Sequence, residues 1–470
     1  MTTFIDAMQT NDVVGENGMP THSTAGSKLV DLFFKSGGSR KMTESQIIDI
    51  FRSAYDEDRL WAIRCLFYIR DIRGGMGERR FFRICLKWLA KQESEIARKI
   101  VHYVPIYGRW DDLVETLDTP VAKDAFNLWL DQLNDDSEKG NKHSLAAKWF
   151  PRDGKWFGFA RRQLKTDRKT LRKGLVQWST TVEQLMSTNR WADVDYEKLP
   201  SKALHMYRKA FAKRDTDRYN TYQQAVASGK AKMNAKALFP SDVVKAVMVD
   251  FFESEKVANE NAWANLADIG LNDQKILPVC DVSGSMNGEP MAVSVALGLY
   301  LSERNTSAFK NVIVTFSNEP AFHKVSGRSL YSKVESIMHA DWGMSTDLEK
   351  TFRVILQRAQ ENDVAAEDMP SKILIISDMQ FNRATRYPNA NALKMIRKEY
   401  EESGYEMPQI VFWNVRTSTG VPAKFDEKGV FLVSGYSPSI MKSVVSGKAV
   451  NPIELVLDTL NGDRYSAITL

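Results

Sequence analysis

The stretch Lys275-Ile276-Leu277-Pro278-Val279-Cys280-Asp281-Val282-Ser283-Gly284-Ser285-Met286 decides the fold. Its first half is a short apolar run with polar borders, the composition of a strand buried on both faces. Its second half turns abruptly to carboxylate and hydroxyl side chains. Four later runs have the same strand character: Asn311–Phe316, Lys372–Ser377, Gln409–Trp413 and Val430–Val433. Between and after them the spacing predicts amphipathic helices over Pro290–Glu303, Thr346–Gln360, Asn389–Glu402 and Ser437–Val445. Strands alternating with helices imply a mostly parallel sheet covered on both faces, whose ligands gather beyond the carboxyl ends of the strands.

Upstream the periodicity is different. From about Thr43 to Val257 apolar residues recur at helical spacing, and Asp58–Arg70, Glu78–Gln92 and Leu171–Met186 read as continuous helical runs. Arg73-Gly74-Gly75-Met76-Gly77 and Pro105-Ile106-Tyr107-Gly108 read as breaks between helices. Paired helices joined by such turns suggest an α-solenoid, although no clean repeat period emerges. The expected fold class is therefore α + α/β: an all-helical array over residues 1–270 and a Rossmann-like α/β domain over 271–470.

A chain of 470 residues is too long for one ordinary core. No apolar run is long enough to cross a bilayer, and the early Asp6, Asn11, Asp12 and Glu16 do not form a basic-then-apolar leader, so a soluble cytoplasmic protein, working as a monomer away from membranes, is expected. Cys65, Cys85 and Cys280 are odd in number and widely spaced, which excludes a disulfide framework and a cysteine zinc cluster. Residues 271–470 carry 21 Lys+Arg against 23 Asp+Glu, whereas residues 1–270 carry 43 against 36. Any polyanion should therefore meet the first part.

The chemistry falls where the sheet argument places it. Asp281, Ser283 and Ser285 follow the first strand, Ser345-Thr346-Asp347 opens a helix, and Asp378 ends the Lys372–Ser377 strand. Carboxylates and hydroxyls from separate loops suit a hard divalent cation such as magnesium, which prefers oxygen ligands and retains waters. A bare Asp-x-Ser-x-Ser is also a good N-cap cluster for the helix after it. Here, however, the Thr and Asp elements recur at the correct loops in the correct order. Asp281, Ser283, Ser285, Thr346 and Asp378 are thus the expected metal ligands.

Asp281–Met286, Ser345–Asp347 and Ile375–Asp378 together resemble the metal-ion-dependent adhesion site of von Willebrand factor A domains. That resemblance implies a Rossmann-like domain in which these side chains bind the metal directly or through water and a partner's carboxylate completes the shell. Met344-Ser345 stands before the Thr, where a Gly pair is common in that family. Leu66–Arg79, Tyr107–Leu113, Lys148–Arg152 and Trp191–Tyr196 followed by Pro200-Ser201 resemble the TROVE module of Ro ribonucleoproteins, and are most similar to its DUF2828 relatives. Similar segments run from Asn17-Gly18 and Ser27–Phe34 to Phe412–Arg416. The resemblance implies a ring or horseshoe of HEAT-like helices closed by the A domain, with RNA as the substrate class.

The residues offer their own support for RNA. Lys148, Arg152, Lys155, Arg161, Arg162, Lys165, Arg168, Lys169, Arg172 and Lys173 are interleaved with Trp149, Phe150, Trp156, Phe157 and Phe159. Cations neutralise phosphates and aromatic faces stack unpaired bases, as structured RNA with single-stranded ends requires. The alternative is a solvated helix face whose aromatics point into the core. A second basic run, Lys202, Arg208, Lys209, Lys213, Arg214 and Arg218, is diluted by Asp215 and Asp217. The Arg73–Arg80 loop lacks the Lys-Ser/Thr ending of a nucleotide loop, so an interhelical turn is the better reading. No paired His or catalytic triad order is present.

Three classes of function are compatible with this sequence. The first is a non-enzymatic, Ro-like RNA-binding protein that holds structured or aberrant RNA on its helices and recruits a protein partner through the metal. The second is a protein-only adaptor, or a partner of an AAA ATPase, that grips clients through the metal site. The third, a metal-dependent phosphoryl-transfer enzyme, lacks an evident base.

Overall fold

The computed structural model describes residues 13–470 apart from 15–17, 19, 250–252, 272–273, 318, 341–346, 382–391, 419 and 447–448. Its architecture is α + α/β, with helices from Lys28 to Ala264 and a mixed sheet from Ile276 onward. Side-chain caps set the early helix starts: Thr43 and Gln46 form a reciprocal capping box before Glu44–Glu57, Asp58 caps Arg59–Arg70, and Glu78 caps Arg79–Gln92. Arg59–Arg70 is buried continuously from Ala62 to Arg70, so it is the hub around which its neighbours pack. The Arg73–Gly77 loop is the turn that follows it. A Cβ on Gly75 would stand 2.0 Å from the Tyr68 carbonyl oxygen, and Gly77 has φ +74°, so both positions need glycine.

Leu171–Met186 is not one helix. Arg168–Trp178 stops and Val182–Ser187 begins anew, because the intervening backbone pairs with residues 142–144: Thr180 N–H donates to Lys142 and Ser144 N–H to Trp178. Tertiary pairing there overrides the helical periodicity. A separate small core lies nearby, formed by Tyr196, Phe211, Tyr219 and Tyr222 among others.

We label the two-residue strands Val13–Val14 (β1) and Pro20–Thr21 (β2), then the six of the main sheet: Ile276–Cys280 (β3), Val312–Thr315 (β4), Phe322–Lys324 (β5), Lys372–Ser377 (β6), Gln409–Asn414 (β7) and Val430–Ser434 (β8). The sheet order is β5-β4-β3-β6-β7-β8. All neighbours are parallel except the β4–β5 pair. The five apolar runs of the sequence thus became strands. β5 escaped notice because it has three partly exposed residues, including a His and a Lys, and pairs along one edge only. The helices Leu330–Met338 and Pro452–Asn461 were also unforeseen, although Asn451-Pro452 is a legible cap and first-turn signal.

The two halves share one apolar core that runs from Ala25 to Ile468. Residues 20–38 lie against the far edge of the sheet. There the Ser434 hydroxyl donates to the Phe33 carbonyl at 2.8 Å and accepts from Gly37 N–H at 3.0 Å. A Cβ on Gly37 would come within 2.3 Å of Gly435 N, so the chains touch backbone to backbone. At the other end of the sequence, Arg464 and Tyr465 return to the helices and both bond the buried Asp71 carboxylate.

Candidate functional site

β3 and β6 are adjacent and in register, Cys280 opposite Ile376, which brings the residues after each strand together. Asp281 N–H donates to the Ile376 carbonyl, carrying the pairing one residue past β3. The Asp281 carboxylate is fully buried. One oxygen accepts from Ser283 N–H at 2.9 Å, and the other accepts from the Ser377 hydroxyl at 2.6 Å. The hydroxyls of Ser283 and Ser285 lie 3.1 Å apart. Burial pushes the Asp281 carboxyl up to about 6; hydrogen bonds from Ser377 and Ser283 oppose that shift, and the charge of Asp378 adds to it.

Asp378 is itself buried, with one oxygen accepting from Gln380 N–H at 3.2 Å. The next residue, Met379, has φ +66°, a left-handed turn that ends the strand abruptly. Arg416, just beyond β7, reaches across this cluster. Its guanidinium donates to the Ser285 carbonyl and stands 3.5 Å from the Asp378 carboxylate. Its own carbonyl faces Gly38, where a Cβ would intrude to 2.3 Å, so the cluster is one residue from the contact with the helical half.

Four of the expected ligands, Asp281, Ser283, Ser285 and Asp378, therefore converge, while Thr346 lies outside the described residues. Neighbouring Asp347 caps the Leu348–Glu361 helix, accepting from Lys350 N–H. Sequence reasoning did not assign roles to Ser377 and Arg416, which no spacing rule links to Asp281. Among the described residues no group of three or more His, Cys, Asp and Glu side chains is placed to hold a metal. The cluster's donors are instead two carboxylates and two hydroxyls, the hard-oxygen chemistry that a small divalent cation accepts.

The basic segment divides by function of its side chains. Lys155, Arg162, Lys165, Arg168, Lys169, Arg172 and Lys173 are exposed, whereas Lys148, Arg152 and Arg161 are half-buried. Lys148 pairs with Glu183 and Lys155 with Asp118. The aromatics do not form an open stacking platform: Phe150 and Phe157 are buried, and Trp156 and Phe159 pack around Phe126. The cations are on the surface and the rings mainly hold Gly154–Gln163 to the array.

Comparison with known proteins agrees with this organisation. Residues 15–102 and 157–273 match the model of DUF2828, a domain of unknown function, and residues 275–463 match that of DUF7788, likewise a domain of unknown function. The uncharacterized protein L728 of Acanthamoeba polyphaga mimivirus is 30% identical over 500 aligned residues, covering 95% of this chain and 86% of the relative. The crystal structure of the Ro (RSR) protein of Deinococcus radiodurans superposes with a TM-score of 0.52 at 15% identity, over 91% of this chain and all of the other. That degree of likeness establishes a shared fold.

Proposed function

Since this chain belongs to the DUF2828 family and has the fold of a Ro protein, we propose that it is a non-enzymatic RNA-binding protein that holds structured or aberrant RNA on its helical half. The observation that carries this reading is the fold likeness across nearly the whole chain, joined to a helical half that bears the net positive charge and a run of exposed cations from Lys155 to Lys173. The cations act on phosphates, and the buried rings leave base recognition to other surfaces. RNA affinity should consequently be strong at low salt and should fall by roughly 0.7 log units per tenfold salt for each phosphate engaged. A filter-binding series in rising salt tests it; no retention of structured RNA at low salt, or retention indifferent to salt, overturns it.

Within the same proposal, Asp281, Ser283, Ser285 and Asp378, with Thr346, hold a divalent cation of the magnesium type, as in the von Willebrand A domains that the motif resembles. When bound, the cation offers a coordination position to a carboxylate of a protein partner. Asp281 and Ser377 set the geometry of the loop, and Arg416 balances the Asp378 charge. Millimolar magnesium should raise the melting temperature of the protein, since a ligand at about a hundred times its dissociation constant adds roughly 2.7 kcal/mol. In Asp378→Ala the magnesium-dependent increment should vanish; an equal increment in the variant refutes the assignment.

A protein-only adaptor is the second reading, favoured by the inward turn of the aromatics in the basic segment. Partner capture that survives nuclease and needs Asp281, from a protein that retains no RNA, supports it.

A further inference from the structure

The Arg79–Gln92 helix forms one wall of an open groove of about 490 Å³ that the function above leaves unused. Arg79, Arg80, Arg83, Lys87 and Lys91 line it, with Glu44 and Glu115 the acidic residues opposite. Arg80, Lys87 and Lys91 are separated by seven and four positions, which puts them within about 20° of one line along the helix and roughly 10 and 6 Å apart in rise. All three are exposed, and they make no ion pair or side-chain hydrogen bond among the described residues. Arg83 is committed already, to Asp111 at 2.8 Å and Asp112 at 2.6 Å. Ile84 and the partly buried Trp88 form an apolar floor between them.

The row does not end at the groove. Asp118 is exposed, bonded by Lys155 at 2.5 Å, and lies within the electrostatic reach of both Lys87 and Lys91. The helix therefore leads towards the start of the exposed cations of Lys155–Lys173, with Asp118 at the junction.

We propose that the Arg80–Lys87–Lys91 face of this groove binds the phosphate backbone of an RNA strand and continues the basic surface at Lys155 into a single track. The inference rests on the RNA reading above and extends it to residues outside the segment picked out by the sequence. The three uncommitted cations stand in one row along the helix and lead towards a longer run of exposed cations, the layout that follows successive phosphates of a strand, which lysines meet as point charges. Glu44 and Glu115 confine the strand to the helix side of the groove. Asp118 opposes it at the junction.

The test uses the full chain and a labelled oligouridylate of about 20 nucleotides, with polyglutamate as the competing polyanion. The triple variant Arg80→Gln, Lys87→Gln, Lys91→Gln should bind the oligouridylate roughly a hundredfold more weakly at 0.1 M salt, and its salt slope should be shallower by about 2. Asp118→Asn should bind it more tightly than the unaltered protein. If the unaltered protein binds with the expected salt dependence and the triple variant matches it in affinity and slope, the track is wrong while the RNA reading stands. If the unaltered protein retains structured RNA but not oligouridylate at low salt, the track falls alone; if it retains neither, both fall. A triple variant that loses polyglutamate but retains oligouridylate identifies the groove as a site for acidic protein and overturns the proposal.

Discussion

Replacing Asp112 by alanine should cost about 3–5 kcal/mol of folding stability, the range for a buried ion pair that loses one partner. Asp112 has no exposed side-chain surface and Arg70, its partner at 2.7 Å, has 4%. The same carboxylate accepts from Arg83 at 2.6 Å and from Arg109 N–H at 2.9 Å. Alanine leaves Arg70 charged in a space that excludes water and strips the acceptor from each of the other two. The intact cluster contributes far less than this difference, because bringing its charges out of water offsets most of their attraction. Urea unfolding should show a lower midpoint with an unchanged slope. A loss under about 1 kcal/mol would mean that water reaches Arg70, and the description of the site as dry would be incorrect.

Acid should weaken the protein through His205, by up to about 3 kcal/mol between pH 6.5 and 4. Burial, together with the neighbouring Arg208 and Lys202 and against the pull of Asp242, lowers the imidazole from 6.5 to about 4 in the folded state. Its Nε2 lies 3.2 Å from the Asp242 carbonyl oxygen, and Leu204, Tyr219 and Leu238 line the same small cavity. The sign follows from which state takes the proton first. Above pH 6.5 the ring is neutral folded or unfolded, and the group is without effect. As pH falls below that value the unfolded chain gains a proton that the folded one refuses, so stability drops until pH 4 and then levels off for this residue. Subtracting the pH–stability curve of His205→Gln from that of the unaltered protein isolates the contribution from the acid titration of carboxylates. A flat difference across that interval would show that His205 charges freely in the folded protein.

The parts of this molecule that were legible in advance are those governed by short-range pattern. Buried parallel strands announce themselves as unbroken Val, Ile and Leu runs, so Ile276–Cys280, Lys372–Ser377 and Val430–Ser434 were readable, and the convergence of Asp281 with Asp378 followed from strand adjacency. What pattern cannot supply is the partner across hundreds of residues. Arg416 reaching Ser285 and Asp378, Arg464 reaching Asp71, and residues 142–144 interrupting Leu171–Met186 are tertiary facts with no periodic trace. The basic row on Arg79–Gln92 was hidden for another reason. Its cations are about two turns and one turn apart in mixed company, and only the folded chain shows which of the helix's basic side chains Asp111 and Asp112 have already taken.

The strap at residues 20–38 carries a consequence for how the protein is made. Leu29, Val30, Leu32, Phe33 and Phe34 are buried in the finished molecule, and Phe33 and Gly37 find Ser434 some four hundred positions later. At about 5–20 residues per second a ribosome needs roughly 20–80 s to deliver that strand. For that interval the strap's helix can pack on Glu44–Glu57 and Arg59–Arg70, which follow it at once, but the apolar side that meets the sheet has no partner. Assembly of the sheet edge is accordingly a late, post-synthetic event, and the newborn protein is a natural client for chaperones that shield apolar segments near the start of a chain.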